Sequence, residues 1–332
     1  MYIGAILGAG FASGEEILQY FVIYEQKGIL AVLLSAFLFI LMGWAVMDIV
    51  YKNNIKGYYE FTKLVFGDKL GVCIEFLSVI FMLILFAAMI SAGGIMAEEV
   101  LNINSKAAVI IFILICFITF NFNLKGIILI NQVVSPLLII GGVGLGLYTF
   151  FEKTIFVSTG SVLKILSQKY ILSAVVYVAY NIITAISVLA TLGESIHSKK
   201  IAKYGAILGG GFLGIMGLSI ALGIWVNYYE VAHLQLPMLK IAENYGNIVE
   251  KLYILLMIMA MYTTAVLNGY EIIEWIDKKY KYNRHITIII VSIIAGVLAQ
   301  ISFSDIVSKV YPLFAYVGGF EMLVILFTAL FI

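Results

Sequence analysis

Apolar runs follow one another along nearly the whole chain, at 1–24, 28–50, 71–97, 106–122, 124–150, 169–193, 203–226, 249–273, 285–302 and 306–331. Most are about 20 residues long, the length a helix needs to cross the roughly 30 Å hydrocarbon core of a bilayer. In lipid the backbone has no water to bond, so each run must pair its own amides and carbonyls as a helix. The expectation is an all-α integral membrane protein, multi-pass in the cell membrane, with ten transmembrane helices in a single domain over 1–332. Composition closes off a soluble fold: 63% of residues are hydrophobic, 12% are charged, and mean hydropathy is +1.08. A soluble domain carries about twice that share of charge. The net charge of +1 offers no field for nucleic acid. The expected partners are the lipid bilayer and a small-molecule substrate, with no cofactor.

The first run lacks a positive leader and continues into a glycine-rich stretch followed by Glu15 and Glu16, so it reads as a span rather than a signal peptide. Both ends of the sequence fall inside apolar runs, and residues are expected to precede Met1. Basic residues collect in loops on the cytoplasmic side. A cytoplasmic amino terminus puts twelve of them inside, clustered over 52–69, 199–203 and 278–284, against eight outside, Lys164 among them. Two connections are long enough for structure of their own. The basic, aromatic segment 51–70 lies on the inner side; 227–248, around Pro237, suits an amphipathic cap on the outer side. Cys73 and Cys116 sit in apolar runs without paired spacing and read as packing residues.

Gly8-Ala9-Gly10-Phe11-Ala12-Ser13-Gly14-Glu15-Glu16 interrupts the first run. Glycine costs about 1 kcal/mol in a helix relative to alanine, and a charge at the bilayer centre at least about 2.5 kcal/mol. Ser13 with Glu16 three residues later has the form of a capping box, which starts a helix anew. The stretch predicts one half-helix ending near Leu7 and another beginning near Ser13; close glycine packing on a neighbouring helix is the alternative. Backbone groups freed by such a break cannot face lipid, and transporters build substrate and ion sites from them. An inverted repeat puts a second break five helices on, where Tyr180, Asn181 and Thr184 set polar groups mid-run without a glycine. Prolines follow in step, Pro136 after the first break and Pro312 after the second. A solute is expected between Gly8, Ala9, Gly10 and Ser13 on one side and Tyr180, Asn181 and Thr184 on the other.

From Gly4 to Ile17 the sequence GAILGAGFASGEEI resembles the opening of the YkvI family of bacterial membrane proteins. Length, the ten runs and the Tyr180-Asn181 region are similar too, so the resemblance covers nearly the whole chain. That family looks like a distant branch of the amino acid–polyamine–organocation superfamily, which has the LeuT fold. The resemblance implies five-plus-five inverted repeats, over 1–150 and 169–332, with helices 1 and 6 both discontinuous. Sodium-coupled members of the fold hold an ion between helix 1 and helix 8. The matching positions here are the carbonyls of Gly4, Leu7 and Ala260 and the hydroxyls of Thr263 and Thr264. The last three share a helical face; threonines bonding back to their own helix are the alternative.

No lysine or arginine lies mid-span to hold a carboxylate and no aspartate lies in the breaks for an amine. A small zwitterion or neutral solute, an amino acid first by family analogy, is therefore expected, taken up by a secondary active symporter using sodium. A proton-coupled permease or a non-transporting sensor on the same fold stays open as the alternative. Glu75, Glu98, Glu99 and Glu321 lie in or beside apolar runs and are candidate proton carriers, Glu321 the deepest. The glycines of the seventh run, Gly205 to Gly217, read as close helix packing. The spans hold no pair of facing aspartates or metal-binding histidines, and His197, His233 and His285 fall at the connections, so an enzyme is not expected.

Overall fold

The computed structural model describes residues 1–122, 124–153, 169–301 and 303–331. Lys164 and the side chains of Glu99 and Lys125 lie outside the described residues. The first apolar run is not one helix but three short ones, α1 (Tyr2–Ile6), α2 (Ala9–Ser13) and α3 (Glu15–Tyr20). Each later run carries a helix: α4 (Gln26–Lys52), α5 (Tyr58–Leu101), α6 (Ser105–Thr119), α7 (Leu124–Lys153), α8 (Tyr170–Thr191) and α9 (Lys199–Val226). Then follow α10 (Tyr228–Val231), α11 (Pro237–Glu243), α12 (Asn247–Tyr280), α13 (Arg284–Leu298), α14 (Phe303–Asp305) and α15 (Tyr311–Phe331). A π-turn, Ile306–Val310, joins the last two.

Among the described residues seven helical segments are long and apolar enough to cross a membrane. These are α4, α5, α7, α8, α9, α12 and the continuous stretch Phe303–Phe331. Two shorter apolar helices, α6 and α13, have 15 residues each, about 22 Å at helical rise. With several spanning-capable helices, the chain is a multi-pass membrane protein. Leucine, isoleucine and phenylalanine stand exposed all along α6, α7, α13 and α15, as lipid-facing surfaces require.

At the centre stands α8, whose residues from Tyr177 to Ala190 are buried without interruption. It packs on α4 and α15; α4 lies against α9, and α5 against α12. The glycines of α9 permit that second contact. A Cβ at Gly210 would meet the backbone nitrogen of Ile40 at 2.6 Å and its Cα at 2.9 Å, so only glycine lets α4 and α9 approach so closely.

Both long connections carry structure. Segment 51–70 includes a helical piece from Tyr58 that ends at Gly67, where φ of 75° bends α5. In 227–248, Pro237 opens α11 at the first turn, where its missing amide costs nothing. Met238, Ile241 and Ala242 are buried beneath it.

Candidate functional site

The break in helix 1 falls at Leu7 and Gly8, with Leu7 at ψ 72° and Gly8 extended at ψ −169°. The first half ends where the glycine pattern places it. The restart does not: helix resumes at Ala9, ahead of Ser13, because the amide of Ala12 closes a turn on the Gly8 carbonyl at 3.0 Å. Gly14, at φ 81°, then makes a second interruption that a side chain would strain. The capping box does not form. Ser13 Oγ accepts the amide of Glu15 at 3.2 Å and donates to the Gly10 carbonyl at 3.3 Å, while the Glu16 side chain turns the other way.

Carbonyls released by the break meet hydroxyls from two helices. Thr264 Oγ1 of α12 lies 3.0 Å from the Leu7 oxygen and 3.4 Å from that of Gly4. Thr184 Oγ1 of α8 lies 3.4 Å from the Ala5 oxygen. Thr263 does what an isolated threonine does, bonding to the carbonyls of Met259 at 3.0 Å and Ala260 at 3.1 Å on its own helix. So the structure joins Gly4, Leu7 and Thr264 in one cluster, while the adjacent Thr263 turns back to Ala260, one turn earlier in the helix. Tyr253 of α12 reaches the other half, donating to the Ala12 carbonyl at 2.8 Å.

The second expected break is absent. α8 runs unbroken from Tyr170 to Thr191. It contains no glycine or proline, and its polar groups are satisfied without unwinding: Asn181 Nδ2 donates to the Tyr177 carbonyl at 2.9 Å, and Thr184 to that of Asn181 at 3.0 Å. Such back-bonding removes the reason to unwind. Pro136 lies inside α7 and Pro312 at the start of α15, but with helix 6 continuous the prolines mark no matching pair of breaks.

Of the seven residues expected to face a solute, Tyr180 and Thr184 reach helix 1, whereas Asn181 bonds only within α8. Gly8 faces Met89 and Thr264, and the amide of Ala9 donates to Met89 Sδ at 3.3 Å. Gly10 is covered by Glu16: a Cβ there would meet Glu16 Cγ at 2.6 Å and Cδ at 2.7 Å. Glu16 Oε2 in turn accepts from the Tyr180 hydroxyl at 2.9 Å. Glu16 itself thus ties α3 to α8, a role the sequence did not reveal.

Other carboxylates were also easy to miss or misplace. Glu271 of α12 accepts from Ser187 at 2.8 Å and Thr191 at 3.2 Å, both on α8. Glu75 pairs with Lys279 at 3.0 Å. Glu321 is 1% exposed and accepts from Ser78 at 3.1 Å, with its second oxygen unpartnered. Asn131 and Ser135 of α7, buried and unpartnered, lie against Gly4.

Two cavities lie at opposite ends of α8. One of about 630 Å³ is lined by Ser187, Thr191, Glu271, Lys278 and Glu75, and the other, of about 300 Å³, by Tyr20, Ser173 and Pro312. Between them the middle of α8 is closed by aromatic rings.

A helix broken at a glycine pair, flanked by hydroxyls of the eighth apolar run, is the feature to compare with known proteins. No family model matches the chain. The uncharacterised membrane protein YkvI of Bacillus subtilis is 28% identical, over 96% of this chain and 91% of that protein. The chain is YkvI-like. Its fold matches that of MhsT, solved in complex with L-phenylalanine, with a TM-score of 0.71 over 97% of this chain and 86% of that one, at 14% identity. A Na⁺-coupled sialic acid symporter, in a substrate-bound outward-open state, aligns with a TM-score of 0.59 over 98% and 80%, at 14% identity. The fold is therefore the LeuT type, and the solved proteins that share it here are transporters.

Proposed function

We infer that this chain is a secondary active transporter that moves a small zwitterionic or neutral solute, such as an amino acid, together with sodium. In this reading ten spans form inverted repeats over 1–150 and 169–332, and the amino terminus is cytoplasmic. Helix 1 is broken and helix 6 continuous. The observation that carries it is the Thr264 hydroxyl against the Leu7 and Gly4 carbonyls at the break. Carbonyl and hydroxyl oxygens are hard donors suited to a small monovalent cation. Sodium arriving as a co-substrate would draw on these three oxygens and on the neighbouring Ala260–Thr263 pair. Neutral oxygens leave the site without fixed charge, so the ion can leave as readily as it enters.

The solute in this reading sits against Gly8, Ala9, Gly10 and Ser13, beside Tyr180 and Thr184. Cavities at both ends of α8, closed off from each other by its aromatic middle, suit alternating access. Proton coupling is the second reading, favoured by one observation: Glu321 is fully buried with a hydroxyl donor, and the described residues place no cation beside it. The test is counterflow in proteoliposomes across a panel of amino acids, with sodium, potassium or a proton gradient imposed. Uptake that follows only the sodium gradient supports the first reading. Uptake driven by protons alone, and lost in Glu321→Gln, replaces it with the second. Binding without exchange points to a sensor.

A further inference from the structure

Four tyrosines close around the buried carboxylates at the start of α3. The rings of Tyr20, Tyr177 and Tyr180 lie 5.5 to 5.6 Å apart, centroid to centroid, and Tyr311 packs on Tyr180 at 4.6 Å. Glu16 stands among them, 4% exposed, with the Tyr180 hydroxyl as its donor. Glu15 is also 4% exposed; Ser304 bonds one of its oxygens at 2.6 Å, and the other has no partner. The hydroxyls of Tyr20 and Tyr177 are buried within electrostatic reach of Glu16; that of Tyr20 has no hydrogen-bond partner, and that of Tyr177 lies close to the Glu16 carboxyl group. Among the described residues no lysine or arginine forms an ion pair with either glutamate.

This is a chemically lopsided site. It holds two carboxyl groups, tyrosine hydroxyls and packed aromatic rings, with no ion-paired lysine or arginine among the described residues to answer them. A buried carboxylate is costly to keep charged without a cation beside it. Aromatic rings attract a desolvated cation. An ammonium group uses both the rings and the carboxylate.

We propose that Glu16 and the cage of Tyr20, Tyr177, Tyr180 and Tyr311 bind the ammonium group of an amine-bearing solute. The inference rests on the transporter reading and narrows it: the solute is an amine or an amino acid, not a neutral molecule. Access runs from the cavity of about 300 Å³ that Tyr20 lines, so the Tyr20 ring must swing aside for the ammonium to reach Glu16. Glu16 also covers Gly10, so the solute would report its arrival directly to the broken helix.

The experiment uses the full chain in lipid nanodiscs. It is titrated with n-butylammonium and L-leucine methyl ester and with their neutral counterparts, n-butanol and methyl 4-methylpentanoate, following tyrosine fluorescence and Tm. The wild type should bind each ammonium probe at least about tenfold more tightly than its neutral counterpart. Glu16→Gln keeps an acceptor for Tyr180 and should erase that preference; Tyr180→Phe keeps the ring and should retain most of it. If Glu16→Gln does not fold, Tyr20→Leu removes a cage face while sparing the Glu16–Tyr180 bond, and should weaken the ammonium probes alone. Equal binding of charged and neutral probes, no binding of either ammonium probe, or a preference that survives in Glu16→Gln or Tyr20→Leu overturns the cage. Neutral solutes that bind, and cease to bind in Gly10→Val, would leave the transporter reading standing while removing the ammonium from it.

Discussion

Thr263 and Thr264 are neighbours of the same type with different work. Thr264 faces the Leu7 carbonyl across a helix interface, whereas Thr263 bonds only within α12. Replacing Thr264 by valine keeps the shape and strands a buried carbonyl, so it should cost about 1–3 kcal/mol in unfolding stability. Thr263→Val should cost less than about 1 kcal/mol without sodium, because its helix carbonyls keep their backbone partners. Chemical denaturation of both variants in potassium buffer checks the order; a larger loss from Thr263 would contradict it. Gly10 makes a second expectation. Even Gly10→Ala would push Glu16 aside, and Gly10→Val should abolish solute binding while the protein stays inserted and monodisperse. Asn181→Ala separates two roles. Its side-chain amide bonds to its own helix, so stability should fall by up to about 1.5 kcal/mol with affinity unchanged, in place of the affinity loss a direct solute contact would give.

At the scale of the element, the helices were legible because lipid leaves the backbone few choices. Length and hydropathy located the long apolar helices, seven of which among the described residues can span a membrane, and the glycines Gly8 and Gly10 announced the break. What the sequence did not disclose was the course of the chain through it. Ser13 and Glu16 have capping-box spacing, but Gly14 in the left-handed region turns Glu16 toward Tyr180, and spacing cannot foresee that direction. The second break was borrowed from symmetry, and α8 had none of the glycine that made the first one readable. Glu271 escaped notice because it lies near the end of its apolar run, where it could pass for an interfacial residue; its partners Ser187 and Thr191 are distant in sequence. The α4–α9 interface supplies a test at this scale. Gly210→Val would drive a side chain into the Ile40 backbone and should cost at least about 1–3 kcal/mol through overpacking. Lower yield and an aggregated fraction in size-exclusion profiles are the expected result; a monodisperse protein of wild-type Tm would contradict the contact.

On the scale of the whole molecule, the cavity of about 630 Å³ opens among Lys56, Lys278 and Lys279. Basic loops face the cytoplasm, so this cavity is the cytoplasmic vestibule if the amino terminus is inside. Single cysteines at positions 52 and 278 should then react only with reagent supplied from the cytoplasmic side, and a cysteine at Thr191 should share their sidedness. Labelling of position 278 from outside would invert the topology. The central claim is that the break in helix 1 and Thr264 of α12 together hold a sodium ion. The most direct measurement is the Tm of the purified chain and of Thr264→Val across matched concentrations of sodium and potassium chloride. Sodium should raise the Tm of the wild type above its value in potassium, and the difference should disappear in Thr264→Val. A wild type indifferent to which cation is present, or a variant that keeps the full sodium shift, would contradict it.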